Sequence, residues 1–272
     1  MSSDNSTSPL DSIWLKLARA EKHLDEVIRK TKEYAHGECS IVMEKDVALQ
    51  MAVQRIRIRP SASPEISAMA GDFFSNVRAA LDYIVWQLVL SNPPNEPSAS
   101  NQFPITNKPD DFAEQLARKR LRGVPDKAVT LIEQFQPYSA EDNPLGILNR
   151  LSNIDKHQTL NVVTVVADNT EVISQTGNFA FILGDEELRD GTIFGGIGIP
   201  FKMIPKLPDF ERRLPEMKMH GKCSLFVAFE DPSAEYLDDY RVDRTLQGIF
   251  NFIRDKVIPA FEPFLRESAQ TD

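Results

Sequence analysis

Only two cysteines, Cys39 and Cys223, stand in the 272 residues. They have no short spacing and no CxxC partner, so neither a disulfide framework nor a zinc site is expected, and the expected compartment is reducing. No run approaches the roughly 18 consecutive apolar residues that span a bilayer. Met1 to Pro9 also lacks a basic segment leading into an apolar one. Together these absences point to a cytoplasmic protein with no membrane partner. The four histidines, His23, His36, His157 and His220, show no HExxH or other metal-ligand spacing. There is no GxSxG elbow. Gly195-Gly196-Ile197-Gly198 lacks the third spaced glycine and the Lys-Ser or Lys-Thr of a phosphate loop, and reads as a strand bulge or turn. No metal and no cofactor are therefore expected. A net charge of −9 opposes long-range attraction to nucleic acid, DNA included, or to anionic lipid.

What is present is ordinary globular composition, 42% hydrophobic and 26% charged, enough to bury one large core or two modest ones. The pattern predicts an α+β protein, a helical bundle packed with an antiparallel β-sheet. Residues 1–10 lack core formers and read as a disordered tail. Residues 11–157 read as a helical region with a small β-hairpin near 40–59. Within it, Asp11 to Ala35 carries apolar residues at helical spacing, and strands are expected at Ser40 to Met43 and Ala48 to Arg59. Ser63-Pro64-Glu65 supplies an N-cap, a proline at the first helical position and an acid in the first turn, opening a long helix over Pro64 to Leu90. Shorter helices are expected at Asp110 to Leu121, Pro125 to Phe135 and from Pro144 to about His157.

From residue 158 to 232 the composition shifts to Val, Ile, Phe and Thr with turn residues between. This predicts antiparallel strands at Leu160 to Ala167, Thr170 to Ser174, Phe179 to Leu183, Thr192 to Ile199 and Cys223 to Glu230. Glu230 to Asp239 reads as a solvated acidic turn. Residues 240–268 return to helical spacing and are expected to pack back on the helical region, with Pro259 kinking or ending the helix. Two basic groups interrupt the acidic background. Arg55, Arg57 and Arg59 share one strand face, which reads as a solvated outer face or a phosphate-binding one. Arg118, Lys119, Arg120 and Arg122 cluster further on.

At about 100° per residue, the long helix turns Phe73, Phe74, Val77, Ala80, Leu81, Ile84, Val85 and Leu88 into one apolar arc. The other arc carries Asp72, Asn76, Arg78, Ala79, Asp82, Tyr83, Trp86 and Gln87. A merely solvated face would more often hold Lys and Glu. Two readings stay open: a polar face that packs against another element or subunit, and a site. A second constellation is Asn149 to His157, where Arg150, Asn153 and His157 share a stripe and Asp155 falls among apolar positions. An inward carboxylate is costly unless paired or hydrogen-bonded, so a cationic or amide partner is expected, Arg78 first, with capping of backbone N–H groups as the alternative.

The run Gly71-Asp72 to Asn76, Arg78 and Leu81-Asp82-Tyr83, followed by Phe103-Pro104-Ile105 and Asn153-Ile154-Asp155-Lys156-His157, resembles a group of uncharacterised bacterial proteins. In that group the first segment commonly ends Leu-Asp-His. The likeness spans Ile66 to His157. Its Arg-x4-His spacing is similar to the signature of HEPN domains, helical bundles that often dimerise and include metal-independent ribonucleases of toxin–antitoxin and phage-defence systems. The resemblance implies an arginine on the scissile phosphate, a histidine handling protons, RNA as substrate and a homodimer.

Tyr83 departs from that pattern where the histidine belongs. Its hydroxyl, with a reference pKa of about 10 against about 6.5 for imidazole, is a poor base near neutrality. Arg150 and His157 offer a looser Arg-x6-His spacing, shared by Arg29 with His36 and Arg213 with His220. Two functions are thus in view. In the first, favoured by the charge and by Tyr83, the chain is a non-catalytic binding or scaffold module whose polar helix face is structural. In the other it is an RNA-cleaving or RNA-binding protein with Arg78, Arg150 and His157 as catalytic residues. Asp72, Asn76, Asp82, Tyr83, Asn153 and Asp155 would then line the binding site. That second reading requires the polar helix face and the Arg150 stripe to meet in one cleft, within one chain or across a dimer interface.

Overall fold

The apolar spacing of the chain is realised as helices and antiparallel strands, an α+β fold. The computed structural model describes residues 9–140, 143–157, 159–166, 170–173, 180–183, 188–200, 219–230 and 240–266. In chain order these form α1 (Asp11–Glu33), β1 (His36–Asp46), β2 (Met51–Arg59), α2 (Pro64–Leu90), α3 (Pro109–Ala117), α4 (Asp126–Gln134) and α5 (Pro144–His157). There follow β3 (Val162–Val166), β4 (Thr170–Ile173), β5 (Ala180–Leu183), β6 (Leu188–Arg189), β7 (Ile193–Pro200) and β8 (Met219–Phe229). The last helical stretch is α6 (Val242–Phe252), a π turn (Ile253–Val257) and α7 (Ile258–Arg266). Most of the expected tail and of the acidic turn lies outside the described residues.

Two compact units divide the chain. One comprises Met1–Val27, Ser67–Leu160 and Arg244–Asp272, the other Ile28–Ile66 and Asn161–Asp243. In the helical unit α1 buries Ile13, Leu17, Ala20 and Leu24, and α2 buries its whole apolar arc from Ala70 to Val89. The ends of α2 are those the cap signals predicted, and Ser63 Oγ accepts the Glu65 N–H at 3.2 Å. Asn143 caps α5 in the same way, its Oδ1 accepting the Leu145 N–H at 2.9 Å. The C-terminal helix does not end at Pro259. Ile258 N–H reaches back to the Ile253 carbonyl, and this single wide turn lets the helix continue past the proline.

In the other unit the hairpin expected inside the helical region proves to belong to the sheet. The six-stranded order is β6-β3-β8-β1-β2-β7, and every described pairing is antiparallel; β4 and β5 form a separate pair. Strands remote in sequence are thus neighbours, which local pattern cannot reveal. Cys39, Ile41, Ile56, Ile58, Val166, Leu188 and Leu225 pack on one face. The opposite face of β1 and β2 holds the arginines, and the charges of Arg55 and Arg57 are spent locally. Arg55 pairs with Asp46 and also donates to the Gly191 carbonyl, while Arg57 pairs with Glu44 and, at 3.3 Å, with Asp190. These are cross-strand ion pairs. The glycine run lies in β7 where the β2 pairing changes register between Val53–Gly198 and Arg55–Ile193, the bulge its sequence suggested.

One expectation fails outright: Cys39 is disulfide-bonded. The other cysteine, Cys223, stands on the adjacent strand β8, paired there with Gly37 of β1. Spacing along the chain gave no sign of a bond that depends on β1 meeting β8.

Close to that point Gly37 admits no side chain, because a Cβ would overlap the Arg59 carbonyl oxygen and the Leu225 methyl. Gly37→Ala is expected to lower stability by about 1–3 kcal/mol, read as a reduced urea midpoint at unchanged slope.

Candidate functional site

The polar residues of α2 do not act as one set. Arg78 and Asp82, four residues apart, lie on one side of the helix and reach the two backbone polar groups of the same residue, Phe103. Phe103 N–H donates to Asp82 Oδ1 at 2.9 Å, and Arg78 Nη2 donates to the Phe103 carbonyl at 3.1 Å. The Phe103 ring is fully buried and meets Phe261 of α7 edge-on, centroids 6.3 Å apart. Gln136, wholly buried, continues the grip. Its Oε1 accepts from the Thr106 N–H at 2.9 Å, and its Nε2 donates to the Pro104 carbonyl at 2.9 Å. Asn101 anchors the start, donating to the carbonyls of Arg120 and Arg122. Side chains thereby take backbone groups of Phe103, Pro104 and Thr106, in a segment that belongs to no helix or strand.

Burial sets the electrostatics here. It lowers the Arg78 pKa against the opposing pull of Asp82, and raises that of Asp82 although Arg78 and the Phe103 N–H favour the ion. Arg78 Nη1 is buried without a hydrogen-bond partner among the described residues.

Arg78, Asp82, Ser75, Ala79, Gln102, Ser152, Asp155 and Lys156 line a cleft of about 290 Å³ between α2 and α5. Asp155 does point toward α2, but its expected pairing with Arg78 is absent. Its carboxylate lies where a Cβ on Gly71 would be, 2.6 Å from Oδ1. Burial, and secondarily the like charge of Asp72, raise its pKa. Gly71 in mid-helix, a costly choice against alanine, is explained by this approach. Arg78 spends Nη2 on the Phe103 carbonyl and makes no ion pair with Asp155.

The other residues go elsewhere. Arg150, Asn153 and His157 line a second cleft of about 450 Å³ with Asn107, Asn149 and Ile154. Asp155 and His157, two residues apart, point about 160° from each other on α5. Arg78 and His157 line different clefts. Tyr83 is exposed with Lys16 Nζ 5.8 Å from its ring centroid. Asp72 is exposed too, and Asn76 folds back to donate to the Asp72 carbonyl at 2.8 Å. Gln136, Asn101 and Asn107 were missed by sequence reasoning. A lone amide between Phe135 and Pro137 was the one signal for Gln136.

Asp82→Ala leaves the buried Phe103 N–H without an acceptor and should cost about 2–3 kcal/mol in urea unfolding, with Asp82→Asn, which keeps an amide oxygen, losing less. Asp155 behaves oppositely. Because its folded pKa is raised above the ordinary value of 3.8, the native state binds the proton more readily than the unfolded chain. The charged form therefore penalises folding above the raised pKa, and the penalty vanishes as pH falls below 3.8. Asp155→Asn is expected to raise Tm at pH 7 and to lose that advantage on acidification.

No protein-family model matches the chain, and neither a curated protein nor a solved structure matches it.

Proposed function

We propose that the chain is a non-catalytic binding or scaffold module whose polar helix face is structural. The observation that carries this is the double engagement of the Phe103 backbone by Arg78 and Asp82. An arginine whose guanidinium holds a backbone carbonyl, at a site where burial already disfavours its charge, is poorly placed to receive a phosphodiester. Tyr83 adds no base. The partner proposed for the module is a second copy of this chain; RNA belongs to the reading below.

The cytoplasm is the proposed compartment. No helix among the described residues is long and apolar enough to cross a membrane, while the Cys39 disulfide opposes a reducing location. Labelling of free thiols in cell lysate decides between them: two reactive thiols per chain favour the cytoplasm.

A second reading, HEPN-like RNA binding or metal-independent cleavage, is favoured by one specific feature. Arg150 and His157 open on the same cleft with Asn107, Asn149 and Asn153. A guanidinium suits phosphate, amides suit base edges, and imidazole can move protons.

Incubation of the purified protein with mixed RNA in chelator separates the readings. The binding module is expected to leave the RNA intact, with Arg150→Ala and His157→Ala unchanged in Tm. Cleavage that disappears in His157→Ala would replace it with the ribonuclease.

A further inference from the structure

The outer side of α2 carries a stripe with a regular beat. Asp72, Asn76, Ala79, Tyr83, Trp86 and Leu90 follow at intervals of four, three, four, three and four residues, the a/d spacing of a helix that packs along another helix. Such spacing is not needed against solvent. Yet Tyr83, Trp86 and Leu90 are 38%, 44% and 50% exposed, with Lys16 Nζ beside the Tyr83 ring.

The stripe is polar and small in its first half, aromatic and aliphatic in its second. It therefore complements itself when reversed. Pairing each a position with a d position in antiparallel order sets Asn76 against Trp86, Ala79 against Tyr83 and Asp72 against Leu90, and uses all six residues. Large side chains then meet small or short ones. The indole N–H of Trp86 meets the amide of Asn76, a donor against an acceptor. A parallel pairing instead stacks Asp72 on Asp72 and Trp86 on Trp86.

Ala79 also lines the cleft of about 290 Å³ that holds Asp155, which has no cationic or amide partner among the described residues. A phenol entering beside Ala79 fits that space, and its O–H can donate to the waiting carboxylate.

We propose that α2 forms an antiparallel, two-fold homodimer interface along the Asp72–Leu90 stripe, in which Tyr83 of each copy seats in the cleft beside Ala79 of the other. The stripe is about 27 Å long, and a helix-on-helix contact of that length buries on the order of 1,000 Å² in total, near the lower bound for a specific interface. The proposal rests on the second-copy partner of the preceding reading and is independent of whether the α5 cleft takes RNA.

Sedimentation velocity on the full chain, with circular dichroism as the control for folding, tests it. A dimer is expected, monomeric in Trp86→Glu and in Ala79→Trp, whose indole occupies the seat, with helix content unchanged in both. Tyr83→Phe keeps the ring and loses the hydroxyl, and should weaken association on the order of tenfold. The register has its own readout: Asp72→Cys with Leu90→Cys should cross-link two copies on oxidation, whereas Asp72→Cys alone should not. A chain monomeric at about 100 μM, a dimer indifferent to both Trp86→Glu and Ala79→Trp, or cross-linking by Asp72→Cys alone would overturn the proposal. The RNA assay stands or falls separately.

Discussion

The helical unit depends on a buried stretch of backbone, Phe103 to Thr106, that belongs to no helix or strand. Such chain inside a helical core exposes amides that helices cannot satisfy, and each left unpaired costs about 1–3 kcal/mol. Three side chains from two places solve this. Arg78 and Asp82 take both ends of the Phe103 unit, and Gln136 takes Pro104 and Thr106. With its amides held, the segment can present Phe103 to Phe261, whose ring also meets Phe135 at 6.0 Å. The clamp therefore links α2, the end of α4 and α7. Its charges are tolerated because they replace the hydration that the peptide lost, not because they attract each other strongly.

This arrangement explains which parts of the molecule could be read from the sequence. The ends of α2 and α5 were legible because caps are local: Ser63-Pro64 and Asn143-Pro144 satisfy amides two residues away. The apolar arc of α2 was legible because helical spacing and burial are the same fact seen twice. The unusual polar arc was legible as an anomaly, though not its use. Nothing near Arg78 in sequence says that its acceptor is a carbonyl 25 residues on. The expectation that it would pair with Asp155 treated charge as the deciding quantity, when the unsatisfied peptide was the stronger claim on the guanidinium.

The sheet shows the same limit at larger scale. Strand positions followed from β-branched alternation within a few residues, but β1 and β2 were assigned to the wrong neighbourhood because their partners β8 and β7 lie more than a hundred residues away. The Cys39 disulfide inherits that error. The arginine stripe, by contrast, was settled by residues close in sequence, since Glu44 and Asp46 on β1 neutralise Arg57 and Arg55 across the hairpin. Local acids answered a local question.

At 100° per residue, Tyr83 lies about 140° around α2 from Arg78, whereas Asp82 lies about 40° from it. A helix carrying these three residues has two distinct polar directions, one turned to the Phe103 backbone and one turned outward. The first is committed inside the fold. The second combines exposure with the spacing of a helix contact, and it contains Tyr83. A tyrosine at that position makes physical sense as bulk with a hydroxyl at its tip: a ring that can be buried against a small residue while its O–H finds an acceptor. Such a side chain offers packing and a hydrogen bond, not proton transfer near neutrality. The unpaired carboxylate of Asp155, in a cleft opening beside Ala79, supplies what such a hydroxyl needs.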